Sequence, residues 1–144
     1  MAFYDEGMKI FVSGQIHDLT MVRTVQAECI RTGHTITHDW TRNETGDKLL
    51  AGQAAKFNEP EEAARRAVKD TNGVIDCDAY IVCTSNESVG KGMYVELGAA
   101  LALNVTTGSP RIYMLGDLQH ASIFYFHPSI KRVASVTEIL AELA

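Results

Sequence analysis

The chain has 144 residues and a formal net charge of -5, with no run of Lys and Arg marking a basic patch. That length suits one domain with a sizeable core, and the acidic balance argues against a partner that is a nucleic-acid polymer. No apolar stretch reaches membrane-spanning length, so no membrane partner is expected.

Lys9-Ile10-Phe11-Val12-Ser13 reads as a first strand that stops at Gly14. Asp18 or Thr20 is a candidate cap for a helix over roughly 21–32, which Gly33 would end. Residues 34–38 form a short β-favouring second strand, and 39–58 a polar stretch read as loop and weak helix. Asn58 as a cap, Pro60 at an early position, and Glu59, Glu61 and Glu62 at the positive dipole end mark the next helix start. Its apolar positions Ala64, Ala67, Val68, Thr71, Val74 and Ile75 keep the helical period. Residues 79–83 are the third strand and 93–104 a helix; 111–115 and 123–126 read as the fourth and fifth strands, and 137–143 as a closing helix. The alternation predicts one α/β domain over 1–144, a doubly wound, Rossmann/flavodoxin-like fold with a mostly parallel five-stranded sheet. Such sheets bind ligands beyond the carboxyl ends of their strands, here residues 13–17, 38–40, 84–91 and 116–117.

Cys29, Cys77 and Cys83 form neither a CxxC metal pattern nor a disulfide framework, so buried free thiols are expected. The first residues lack the basic start and apolar core of a signal peptide, which makes a reducing cytoplasm the default. His17, His34, His38, His120 and His127 show no metal-ligand spacing; no metal and no cofactor are assigned.

Glu96 is the only charge between Lys91 and Arg111, on a helix apolar on every side. Such a helix is normally buried, and a lone buried carboxylate is costly unless paired, protonated or used. Glu96 is therefore a candidate active-site group. Asp70 sits near a helix end, where a negative charge opposes the dipole. Gly90 and Gly92, in the turn before the Glu96 helix, would let a ligand approach the backbone, and Ser88 adds a hydroxyl; both glycines also suit a plain tight turn. Gly14-Gln15-Ile16-His17 is either an ordinary strand–helix turn or an anion loop. His38, Asp39 and Trp40 end the second strand, with Trp40 divided between packing and stacking on a planar ligand. A Gly-x-Ser-x-Gly elbow and a dinucleotide fingerprint are both absent.

Two segments carry a family likeness: residues 70–82, starting Asp70-Thr71-Asn72-Gly73, and Ser88-Val89-Gly90-Lys91-Gly92-Met93-Tyr94-Val95-Glu96-Leu97-Gly98. Together with the strand at 9–13, the chain resembles the nucleoside 2-deoxyribosyltransferase family, including relatives that hydrolyse nucleoside 5′-monophosphates. The resemblance implies that Glu96 is the nucleophile and Asp70 the residue that contacts the base and transfers the proton. It implies a phosphate contact at Ser88, a phosphate loop at Gly14 to His17, and a serine, Ser122, contributed by the partner subunit. Phe11 stands where the family usually has a tyrosine near the nucleophile and sugar, which implies a lost hydrogen bond and room for a ribose 2′-hydroxyl. His17 stands in place of an arginine, which implies weaker and more pH-sensitive phosphate binding.

The expectation is cleavage of the N-glycosidic bond of a nucleoside or its 5′-monophosphate through a glycosyl-Glu96 intermediate, as in retaining glycosidases. Hydrolysis and base exchange stay nearly balanced, and a non-catalytic nucleotide sensor is the alternative from another class. The expected partners are a small-molecule nucleoside or nucleotide and, through the resemblance, a second copy in a homodimer or higher homo-oligomer. The run 123–126 reads equally as core strand or interface.

Overall fold

The computed structural model describes residues 7–42, 59–84, 91–118 and 122–144. Its strands are β1 Lys9–Ser13, β2 Thr35–Ile36, β3 Ala79–Cys83, β4 Arg111–Leu115 and β5 Ile130–Val133. Its helices are α1 Leu19–Arg31, α2 Pro60–Asp76, α3 Lys91–Thr107 and α4 Val136–Leu143. The sheet order is β2-β1-β3-β4-β5 and every pairing is parallel, so this is a doubly wound, flavodoxin-like α/β fold.

Successive side chains leave a strand on opposite faces, so β1 and β3 feed two separate layers. Ile10, Val12, Ala79, Ile81 and Cys83 pack with Val22, Val25 and Cys29 of α1 and Ile139 and Leu143 of α4. Phe11, Tyr80, Val82, Ile112 and Met114 pack with Val74 of α2 and Met93, Leu97, Ala100 and Leu101 of α3. Both faces of the central strands are covered, which explains why 79–83 is apolar throughout.

Two close approaches set the helices. A Cβ on Gly14 would lie 2.7 Å from Val22 Cγ2, so the turn after β1 needs a residue without one for α1 to pack there. A Cβ on Gly73 would lie 2.8 Å from the Phe11 ring and 3.0 Å from His38 Cβ. Gly73 thus lets the last turns of α2 settle onto β1. Thr37 Oγ1 donates to the Gly73 carbonyl at 2.7 Å, satisfying a helix-end acceptor and tying the segment after β2 to α2.

Three expectations are corrected. Residues 123–126 form a 3-10 turn rather than a strand. Ser122 Oγ accepts from the Phe124 N–H, and only Tyr125 of the four turns inward; Ile123, Phe124 and Phe126 are exposed. The fifth strand is β5, whose exposed Lys131 and Arg132 disguised it; a sheet edge tolerates such charges. The apolar positions of α2 split: Val74 is buried but Val68 and Ile75 are exposed, and beside Val74 the inward side carries Asp70, Gly73 and the Arg66–Glu62 ion pair at 2.7 Å. Finally, α3 is apolar all round yet not buried all round, with Val95 and Val105 exposed. Cys29, Cys77 and Cys83 are buried and free. Among the described residues no helix is long and apolar enough to cross a membrane.

Candidate active site

From β1 the chain moves to β2 on one side, and from β3 to β4 on the other, so the winding reverses between β1 and β3. The crevice at their carboxyl ends is where an open α/β sheet holds ligands. Ser13 ends β1 with the parity of Phe11 and therefore faces the α2/α3 layer. Ser13 Oγ donates to Glu96 Oε1 at 3.4 Å. Glu96 Oε2 is sealed from solvent and has no hydrogen-bond partner, although the residue as a whole keeps intermediate exposure. Burial pushes the Glu96 carboxyl up to about 8; the negative charge of Asp70 adds to the rise, and the Ser13 bond opposes it.

Asp70 lies one turn before Gly73 on α2, so the close packing of Gly73 on Phe11 also carries Asp70 toward the crevice. His38 Nε2 stands 3.3 Å from Asp70 Oδ1, and the two side chains are 27% and 34% exposed. The outer acid is open enough to meet a ligand, and the inner one is enclosed. Chemically, the arrangement offers one carboxyl that keeps a proton near neutrality beside a second that is held by an imidazole.

Phe11 is fully buried and stacks on Tyr80, its cross-strand neighbour, with ring centroids 6.0 Å apart and planes 3° from parallel. Trp40 Nε1 donates to the Val12 carbonyl at 2.7 Å, and the indole packs against both apolar layers, so packing is the role its contacts describe. The Asp39 carboxylate accepts from Gln26 Nε2 at 3.2 Å and from the Thr41 N–H at 3.0 Å, and meets Arg42 Nε at 3.5 Å. Asp39 thereby fixes the chain after β2. Gly14 and Gln15 lead from β1 into a 3-10 turn over Ile16–Asp18; Gln15 is buried, Ile16 half-buried and His17 exposed. Among the described residues outside its own helix turn, no atom lies within 4 Å of a Cβ built on Gly92, so their packing does not demand a glycine there. Ser88 and Gly90 lie outside the described residues. Ser122 is occupied in capping its own 3-10 turn.

The fold therefore gathers Phe11, His38, Asp70 and Glu96 around one crevice, with residues 14–17 at the adjoining strand end. Two further residues belong to it: Ser13, placed at a ligand-binding strand end by the sequence but given no role, and Tyr80, which the sequence did not single out. Period-two parity with Phe11 could have found Ser13; Tyr80 needed the β1–β3 register. No protein-family model matches this chain, and no curated protein matches its sequence.

Proposed function

We propose that this protein cleaves the N-glycosidic bond of a nucleoside 5′-monophosphate or nucleoside and passes the sugar to water through Glu96. The observation that carries the reading is the enclosed carboxyl of Glu96, with one oxygen unbonded, coupled to the half-open Asp70 at the switch point of the sheet. An arrangement that costly for folding is expected where chemistry uses it. The fold alone would not license the reading.

In the free protein the pair holds its proton on Glu96 near neutrality, and binding of the base beside Asp70 shifts that proton outward. Ionised Glu96 then attacks the anomeric carbon as the C–N bond breaks, and the bonding pair leaves with the base, which takes a proton from Asp70. The product is a glycosyl ester on Glu96. Asp70, now a carboxylate held by His38, removes a proton from water; the oxygen attacks the same carbon and Glu96 departs as a carboxylate. Residues 14–17 are the proposed neighbours of a 5′-phosphate, and Phe11 leaves the sugar side of Glu96 without a phenol at that position.

An apolar groove between α3 and the 123–126 turn supports a second copy as partner. Tyr94, Leu97, Leu101 and Val105 of α3 line an open cavity of about 490 Å³ together with Phe124 and His127. A homodimer would cover it, and sedimentation equilibrium measures that directly. Three free buried thiols suit a reducing cytoplasm.

The functional test is incubation with a panel of ribo- and deoxyribonucleosides and their 5′-monophosphates, with and without a free acceptor base. Base release without acceptor is expected. Product only in the presence of acceptor would make the protein a base-exchanging transferase. Binding without consumption of any panel member would overturn the enzymatic reading in favour of a sensor.

A further inference from the structure

Few buried polar side-chain atoms in the described residues lack a hydrogen-bond partner, and two of these belong to residues on the α2/α3 side that interact electrostatically: the Tyr80 hydroxyl and Glu96 Oε2. The phenol can donate, and the carboxyl oxygen can accept once Glu96 ionises. Tyr80 is fully buried in β3, where stacking on Phe11 holds its ring on the α2/α3 side of the sheet. A phenol sealed from solvent without a well-formed hydrogen bond forfeits one that water would supply, at a cost on the order of 1–3 kcal/mol. A phenylalanine would fill the same space without that cost, as Phe11 does in the neighbouring strand. The hydroxyl therefore calls for a functional reason.

We infer that Tyr80 is a positioning residue for Glu96: when the carboxyl ionises, the Tyr80 hydroxyl donates to Oε2 while the Ser13 hydroxyl donates to Oε1. Burial drives the Tyr80 phenol well above its ordinary range, the charge of Glu96 raises it further, and hydrogen bonding by Ser13 opposes the rise, so Tyr80 lies within reach of both groups. A phenol that resists ionisation stays a donor throughout the working pH range. Among the described residues, the groups that act on or feel Glu96 are Ser13 from β1, Asp70 from α2 and Tyr80 from β3; Tyr80 in turn feels the thiols of Cys77 and Cys83.

Two donors on two oxygens stop rotation of the carboxylate and still leave a lone pair on each oxygen for the sugar carbon. Charge-assisted hydrogen bonds are the stronger kind, so the pair also lowers the cost of ionising an enclosed acid. The bond matters most when charge returns to Glu96 as the glycosyl ester opens. The inference rests on Glu96 as the nucleophile for its purpose, but its geometry is testable without turnover.

The experiment is a pH titration of carboxyl-13C-glutamate by NMR on the full-length protein, with the Glu96 signal assigned by its loss in Glu96→Gln. In Tyr80→Phe the Glu96 signal should titrate at higher pH than in the wild type, with proton affinity raised about tenfold, the loss expected for one charge-assisted hydrogen bond. The acid limb of any base-release profile should move the same way while KM stays within about twofold. An unchanged Glu96 titration in Tyr80→Phe would overturn the inference, whether or not the protein proves to be an N-glycosidase. Should Tyr80→Phe fail to fold, the wild type answers alone: the Tyr80 hydroxyl proton must move downfield as Glu96 ionises, and a proton indifferent to that step refutes the bond.

Discussion

On the α1/α4 side of the sheet, β1 and β3 present Ile10, Val12, Ile81 and Cys83 to an apolar layer. On the α2/α3 side, residues of the same strands present Phe11, Ser13 and Tyr80, and α3 adds a carboxyl with an unbonded oxygen. The first face works as packing, where each methylene removed from water contributes. The second gives up stability to hold an acid away from water. Alternation along a strand of five residues keeps the two jobs apart, so substitutions on one face should leave the other's property alone.

The largest contrast is expected from Asp70→Asn. Removing the proton donor should slow base release about 10²–10⁴-fold. It should also lower the titration of Glu96 from about 8, because the repelling negative charge is gone. Stopped-assay rates and the carboxyl NMR titration read the two effects separately. A titration that rises instead would break the pairing of the two acids.

Glu96→Gln should act on stability with a definite sign. The carboxyl titrates near 4.5 in the unfolded chain and at about 8 in the folded one. Below the lower value both states carry the proton and no penalty exists. As pH rises through the interval, the unfolded chain releases its proton while the folded one keeps it, so stability falls until about pH 8 and then levels. The accumulated cost is on the order of 5 kcal/mol. Urea unfolding should therefore find Glu96→Gln and wild type similar near pH 4, with the variant more stable near pH 9. Parallel curves across that range would contradict the enclosed carboxyl.

On the opposite face, Ile81→Ala should cost about 3 kcal/mol at every pH, from lost burial and the cavity left behind. Its base-release profile should keep the wild-type shape. A displaced acid limb would show that the two faces are not independent.

Much of this division was legible in the sequence. The runs 9–13, 79–83 and 111–115 are strands with the expected limits, because central parallel strands are apolar enough to stand out. Glu96 announced itself as one charge in a long apolar stretch. Asp70 was readable from its awkward place near a helix end, although not the reason it is tolerated there: its partner His38 comes from the far side of β1. Ser13 was hidden by position, an ordinary strand end until its parity is counted. Tyr80 was hidden more deeply, because its importance depends on pairing with Phe11 across a register that no local pattern specifies. Edge strand β5 was lost because its central residues are Lys131 and Arg132, and the aromatic run at 123–126 drew the assignment instead. The periodic positions of α2 divide in the fold: Val74 is buried while Val68 and Ile75 are exposed, because much of the inward side is polar where it builds the site.

The central claim is that the enclosed oxygen of Glu96 forms a bond to sugar. A 2′-fluoro nucleoside or its 5′-monophosphate tests it most directly, since the fluorine slows opening of the ester more than a natural sugar would and lets the adduct collect. Peptide mapping by mass spectrometry should then find one fluorosugar on the peptide that contains Glu96, with loss of the adduct in Glu96→Gln. Steady release of base from a natural substrate, with no sugar ever found on Glu96 or with the sugar found on another side chain, would contradict it.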